Sequence, residues 1–177
     1  MKLTWFGGTT MRVHIGGAML VIDAAGAPAG IDRTELVSGA DRQLSFADLD
    51  GLDAIDPARW APRKVPALID ESDLPAVAVY REGDTAILLD AVGEQPLLIV
   101  TGQIERMGRW AANGVVVVAG ASEALPGLAA NVLERLGPKL IAVAGPEAAV
   151  DAVILRVKDE LHGTGLMALE PGLALEV

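Results

Sequence analysis

The stretch that decides the fold is KLTWFGGTTMRVHIGGAMLVIDA, Lys2 to Ala24. Apolar and polar residues alternate through KLTWF and again through MRVHI, the period of a half-buried strand. Gly7, Gly8, Thr9 and Thr10 separate the two runs, and Gly16-Gly17 supplies the positive φ that a two-residue hairpin turn demands. A third run, AMLVI, follows at once. The chain therefore opens as a three-stranded meander.

Outward from there, regularity fades between Ala25 and Asp73. This segment holds Pro28, Pro57, Pro62 and Pro66 and the scattered acids of FADLDGLDAID (46–56). It reads as a long irregular loop region with a helical turn near 46–52, and loops of that size usually serve function or are a relic of it. Order returns with AVAVY (76–80), TAILLDA (85–91) and PLLIVTG (96–102), three strands separated by the turns REGD and VGEQ.

Beyond Trp110 the pattern changes. GVVVVAG (114–120) is an apolar run typical of a strand covered on both faces. The spacing of Leu125, Leu128, Val132, Leu133 and Leu136 predicts a helix over 123–136, with Ser122 as its N-cap. KLIAVAG (139–145) repeats the strand. A second helix starts at Pro146 with the stripe Val150, Val153, Ile154, Val157 and Leu161, and ends at Gly163. The two strand–helix units share an Ala-Gly turn, at Ala119-Gly120 and Ala144-Gly145, and form an internal repeat. A last hairpin, LMALE and LALEV around Pro171-Gly172, closes the chain. Strands first and then alternating strand and helix imply stacked sheets with helices outside, an α/β class.

Composition narrows the function. The 177 residues read as a single domain, 1–177; at 51% hydrophobic but 3% aromatic, its core must be built from Val, Leu, Ile and Ala. Fourteen basic against 24 acidic residues give a net charge of −10 with no Lys/Arg cluster, which speaks against nucleic acid and anionic membranes as partners. The richest basic stretch, ARWAPRKVP (58–66), is broken by two prolines and reads as a solvated loop; Trp5, Trp60 and Trp110 read as packing anchors, with Trp60, in that loop, the most open of the three. No apolar run approaches the ~18 residues of a membrane span. GGTT interrupts any signal-peptide core, so the chain reads as cytoplasmic. Cysteine is absent, which removes disulfides, thiolate nucleophiles and cysteine-based metal sites.

With these residues in view, the opening LTWFGGTTMRVHIGGAMLVIDA resembles the start of metallo-β-lactamase-fold hydrolases, in particular the ascorbate-lactonase-like branch. Those proteins begin with a strand, a Gly-containing turn, a strand ending in Gly-Gly and a strand ending in IDP. LLIVTGQ (97–103), WAANGVVVVAG (110–120) and LAANVLERLGPKLIAVAG (128–145) resemble later family segments in the same order. The resemblance implies a truncated αββα sandwich with mixed β-sheets. It also implies zinc or manganese held by a T-H-x-H-x-D-H motif, and here the sequence departs. At the matching segment, LVSGADRQL (36–44), Ser38 replaces the Thr, Gly39 and Asp41 the first two His, Gln43 the Asp and Leu44 the last His. Gln103 takes the place of the bridging Asp, and Gly145 that of the final His. No histidine lies between His14 and His162.

The residue chemistry agrees on its own terms. A hydrolytic zinc site needs about three or more converging ligands, usually with histidine among them. Two distant histidines and no cysteine do not supply a dinuclear centre, so no cofactor and neither zinc nor manganese is expected; with 24 acids, a carboxylate-only Mg²⁺ or Ca²⁺ site stays open. The acids Asp48, Asp50, Asp53 and Asp56 lack the glycine position and terminal Glu of a calcium loop. His14 alternates with Val13 and Ile15 and so points outward. Glu82-Gly83-Asp84-Thr85 sits between two apolar runs and reads as a hairpin turn. There is no G-x-S-x-G elbow for a serine nucleophile.

These observations lead to one expectation and one alternative. The first is a non-catalytic, degenerate relative with a binding or assembly role, forming a homo-oligomer and open to a small-molecule ligand; the mean hydropathy of +0.40 leaves more apolar surface than one small domain hides. The alternative is a hydrolase of a small ester, lactone or phosphoester that works with Ser38, Asp41, Gln43 and Gln103, Asp41 as acid–base group and Gln103 as a positioning amide.

Overall fold

The computed structural model describes residues 1–64, 75–105 and 107–177. In chain order the elements are β1 (Lys2–Gly7), β2 (Thr10–Ile15), β3 (Ala18–Ile22), α1 (Arg33–Val37), β4 (Arg42–Leu44), β5 (Asp53–Ala54), β6 (Val77–Glu82), β7 (Ala86–Ala91), β8 (Leu97–Val100), β9 (Val115–Ala119), α2 (Leu125–Leu136), β10 (Leu140–Ala144), α3 (Glu147–Val157), β11 (Gly165–Ala168) and β12 (Ala174–Glu176). They build an α/β sandwich of two mixed sheets. One has the order β12-β1-β2-β3-β4, the other β11-β10-β9-β8-β7-β6-β5.

Side-chain alternation divides the core in two. Ile87 and Leu89, Leu97 and Ile99, and Val115 and Val117 face the other sheet and meet Leu3, Val13, Ile15 and Leu20 there. Their neighbours Leu88, Leu98, Val116 and Val118 face away and are covered by α2 and α3. Strands buried on both faces explain the unbroken apolar runs, since neither side of β9 meets water. The α layer on the other sheet is a single five-residue helix, α1, among the described residues. Arg12, flanked by inward-facing Met11 and Val13, reaches outward and donates to the carbonyls of Glu35 and Leu36. Leu36 is buried beneath it.

The meander forms as its glycines predict. Gly16 and Gly17 adopt φ of 57° and 79°. Gly16 has a second reason to lack a side chain: a Cβ there would stand 2.7 Å from the Cβ of Ala91, because the turn lies directly on β7. Glu82 to Thr85 turn β6 into β7, as expected.

Four expectations need correction. Pro171-Gly172 does not close a hairpin: β11 pairs in parallel with β10 in one sheet and β12 antiparallel with β1 in the other. Ser122 is not the N-cap of α2; that helix begins after Ala124, without a side-chain cap bond. The second helix stops at Val157, so Leu161 and Gly163 lie beyond it, and Ile154 is 42% exposed rather than core. Residues 46–52 form turns closed by Asp48 N–H to Ser45 and Leu52 N–H to Leu49, not a helical turn. The described part of 25–73 also carries α1, β4 and β5, of which the two strands each add an edge to a sheet; residues 65–73 lie outside the described residues. No helix among the described residues is long and apolar enough to cross a membrane.

Candidate functional site

Register decides where chemistry can gather. Trp5, Met11, Ile22 and Leu44 share one end of the smaller sheet; Glu82, Ala86, Val100, Val118, Val143 and Ala168 share one end of the larger. The Leu169 N–H donates to Val143 and the Gly172 N–H to Trp5, at 2.8 and 2.7 Å, which brings the two ends together. The carboxyl ends of the parallel strands β8, β9 and β10 open onto this rim, the usual place for a ligand in α/β sheets.

Two cavities lie there. The polar one, about 340 Å³, is lined by Asp23, Arg42, Gln43, Ser45 and Asp48 among others. Asp23 holds it open in a left-handed conformation, φ 48° and ψ 46°, which a non-glycine residue keeps only under constraint. The constraint is visible. Its Oδ1 accepts from Ser45 Oγ at 2.7 Å and the Phe46 N–H at 3.0 Å, and its carbonyl accepts from Thr10 Oγ1 at 2.9 Å. The second cavity, about 650 Å³, is mostly apolar. Trp5, Val150, Leu169 and Pro171 form its walls, Gly7-Gly8 and Gly145-Pro146 its backbone borders, and the exposed carboxylates of Glu147 and Glu170 stand at its edge. Trp5 is fixed by donating Nε1–H to the Gly8 carbonyl at 3.0 Å.

The residues singled out in the sequence are spread apart. Ser38 is the exposed residue that ends α1. Asp41 lies before β4 and accepts from the Met19 N–H at 2.7 Å while its own N–H donates to Met19 at 2.8 Å. Because β4 runs toward the rim, Ser38 and Asp41 sit toward its far end. Gln43 is exposed and lines the polar cavity; Gln103 is exposed at the rim of the other sheet, its carbonyl accepting from Thr85 Oγ1 at 3.4 Å. Among the described residues no hydrogen bond or cavity joins Asp41 to Gln103.

A dinuclear metal centre does not fit these residues. A Cβ at Gly145 would lie 2.5 Å from Cδ1 of the buried Leu125, so the direction a ligand at 145 would take is already filled. Gly102, just before Gln103, is closed in the same way by Thr85, at 2.6 Å. Among the described residues no three His, Asp or Glu side chains converge to hold a metal. Asp56, of the acidic stretch, accepts from the Ala58 N–H and pairs with Arg59 instead.

Two charged groups escaped the sequence reading. Asp90 is fully buried on the helix-facing side of β7 and is met by Arg63, whose Nε and backbone N–H both donate to its Oδ2 at 2.9 and 3.1 Å. The same guanidinium reaches the carbonyls of Pro75 and Ala76. Arg63 is thus a clamp and not part of a solvated loop. Trp60 packs as an anchor, half-buried and edge-on against Tyr80 and Trp110. An aspartate inside the apolar run TAILLDA was the available sign that some cation must come to it. Glu82, at the end of β6, is the other. Burial pushes its carboxyl above the usual carboxylate range, a hydrogen bond from the Glu105 N–H works against this, and the Glu105 carboxylate pushes it up again.

The sequence matches no protein-family profile and no curated protein. The fold does have solved counterparts. The isothiocyanate hydrolase from Delia radicum gut bacteria superposes with a TM-score of 0.54 at 11% identity, over 99% of both chains. Igni18, a metallo hydrolase from the hyperthermophilic archaeon Ignicoccus hospitalis, gives a TM-score of 0.48 at 12% identity, over 99% of this chain and 98% of that one. At 11% identity the likeness to the isothiocyanate hydrolase is one of fold alone.

Proposed function

We propose that this chain is a non-catalytic relative of the metallo-β-lactamase-fold hydrolases, of the ascorbate-lactonase-like branch, in which a binding role has replaced hydrolysis. The apolar rim cavity takes a small apolar molecule, neutral or cationic. One observation supports the reading: at residue 145, where the resemblance puts the last metal ligand, the methyl of Leu125 fills the space a side chain would enter, and beside it opens a cavity of about 650 Å³ with apolar walls. That volume suits a small organic ligand, and apolar walls reward burial rather than polar chemistry. Glu147 and Glu170 disfavour an anion there.

The test is a titration with two fluorescent probes, neutral aminoanthracene and anionic anilinonaphthalene sulfonate, alongside metal analysis of untagged protein by mass spectrometry. The neutral probe binds more tightly, and Val150→Phe, which fills the cavity, weakens it by about tenfold or more. Preference for the anion, indifference to Val150→Phe, or a full equivalent of tightly held zinc or manganese would overturn the reading.

A hydrolase of a small ester, lactone or phosphoester is the second reading. The polar cavity favours it, since Gln43 stands there beside Arg42, Ser45 and Asp48. Turnover of such a substrate that is lost in Asp48→Ala and Gln43→Ala would put it first.

A further inference from the structure

α3 presents two large apolar side chains to solvent: Leu155 is 69% exposed and Ile154 42%. Its buried side is Ala149, Val153 and Val157. The opposite stripe runs Ala148, Asp151, Leu155 and Lys158, at steps of three, four and three residues, with Ile154 beside it. α2 flanks α3 on one side; on the other the sheet ends at β11, and among the described residues no element covers the stripe.

A lone exposed leucine needs no explanation. The charges around this pair do. Asp151 lies three residues before Ile154, and Lys158 three residues after Leu155. Neither has an ion-pair partner among the described residues, whereas the nearby Arg156 is already paired with Glu160 at 3.2 Å. In a second copy of the helix laid antiparallel, about a two-fold axis between Ile154 and Leu155, Asp151 of each copy meets Lys158 of the other. Ile154 meets Leu155. A parallel copy would set aspartate on aspartate and lysine on lysine. The pattern is self-complementary in one orientation only, and that orientation closes on itself as a dimer.

We infer that the Asp151–Lys158 face of α3 is the contact between two copies of this chain, paired antiparallel. A single helix pair buries less than the ~1,600 Å² of a standard interface, so a weak, concentration-dependent dimer is expected. The contact shares α3 with the rim cavity but does not use its Val150 wall, and it is read by association state and not by probe binding, so the two proposals fail separately.

Sedimentation equilibrium of the full chain, from about 5 to 200 µM, reads it directly. Wild type moves from monomer toward dimer across that range. Leu155→Glu stays monomeric, as does Asp151→Lys, which sets lysine against lysine. Asp151→Lys combined with Lys158→Asp restores dimerisation. All of these positions are exposed, and circular dichroism checks that each variant is folded. A wild type that is monomeric throughout overturns the inference and leaves the patch for a different partner. A dimer indifferent to Leu155→Glu, or a charge swap that fails to restore it, overturns it equally.

Discussion

A carboxylate with no exposed surface is untenable without a cation or donors, and Arg63 supplies both to Asp90. Removing the cation leaves the charge behind. Arg63→Ala is therefore expected to cost about 3 kcal/mol in urea denaturation, well above the loss for the exposed Arg59→Ala. Glu82 gives the opposite kind of test. Its folded-state pKa lies above its unfolded value, so between the two the folded chain holds a proton that the unfolded chain has released. The stability it contributes is complete below the unfolded value and is lost as pH rises through the folded one. Glu82→Gln, which cannot ionise and still accepts from the Glu105 N–H, is expected to have the higher urea midpoint at about pH 8, the two proteins converging near pH ~4. At this scale the sequence was partly legible. His14 could be placed outward by alternation alone, but Arg63 could not be paired, because its partner is 27 positions away across a sheet and no local pattern joins them.

Elements were read well where one period dominated. β1, β2, β7, β8 and β9 lie where alternation or an apolar run put them, and α2 ends at Gly137 with a φ of 52°, the usual left-handed stop. The failures share a cause: they depend on what lies opposite. Pro171-Gly172 signals a reversal, which serves equally for a hairpin or for a crossing from one sheet to the other. Ile154 belongs to an apolar stripe, yet only the angle at which α3 sits on the sheet decides that Val153 is buried and Ile154 is not. The residues matched to the metal motif were grouped by sequence, but Asp41 lies before β4, bonded to Met19, while Gln43 lies within it and lines the polar cavity. The steric claim at Gly145 is testable here. Gly145→Ala is expected to cost about 1–3 kcal/mol through its contact with Leu125. Combined with Leu125→Ala, the total should fall short of the sum of the single losses by about 1 kcal/mol or more, because the two changes share one space.

For the whole molecule, composition and order of elements sufficed for an α/β sandwich, since the apolar runs of β7 to β10 need cover on both faces. What they could not convey was the rim, which exists only because register aligns the ends of two sheets. If the binding reading holds, untagged protein incubated with zinc or manganese and then dialysed retains well under one equivalent, and neither ion raises its thermal midpoint. A midpoint shift of several degrees would place ligands that the described residues do not provide.

The crossing from β11 to β12 has a bearing on how the molecule is made. One short segment closes an edge of each sheet, and it fastens Glu176 to Lys2, so that contacts separated by up to 176 positions must form before the space between the sheets is sealed on that side. Closing so long a loop costs little more entropy than closing a moderate one, but it is slow to happen by chance. β1 is therefore held on one side by its neighbour β2 and on the other by residues from the far end of the sequence, and damage to β12 will be felt at β1.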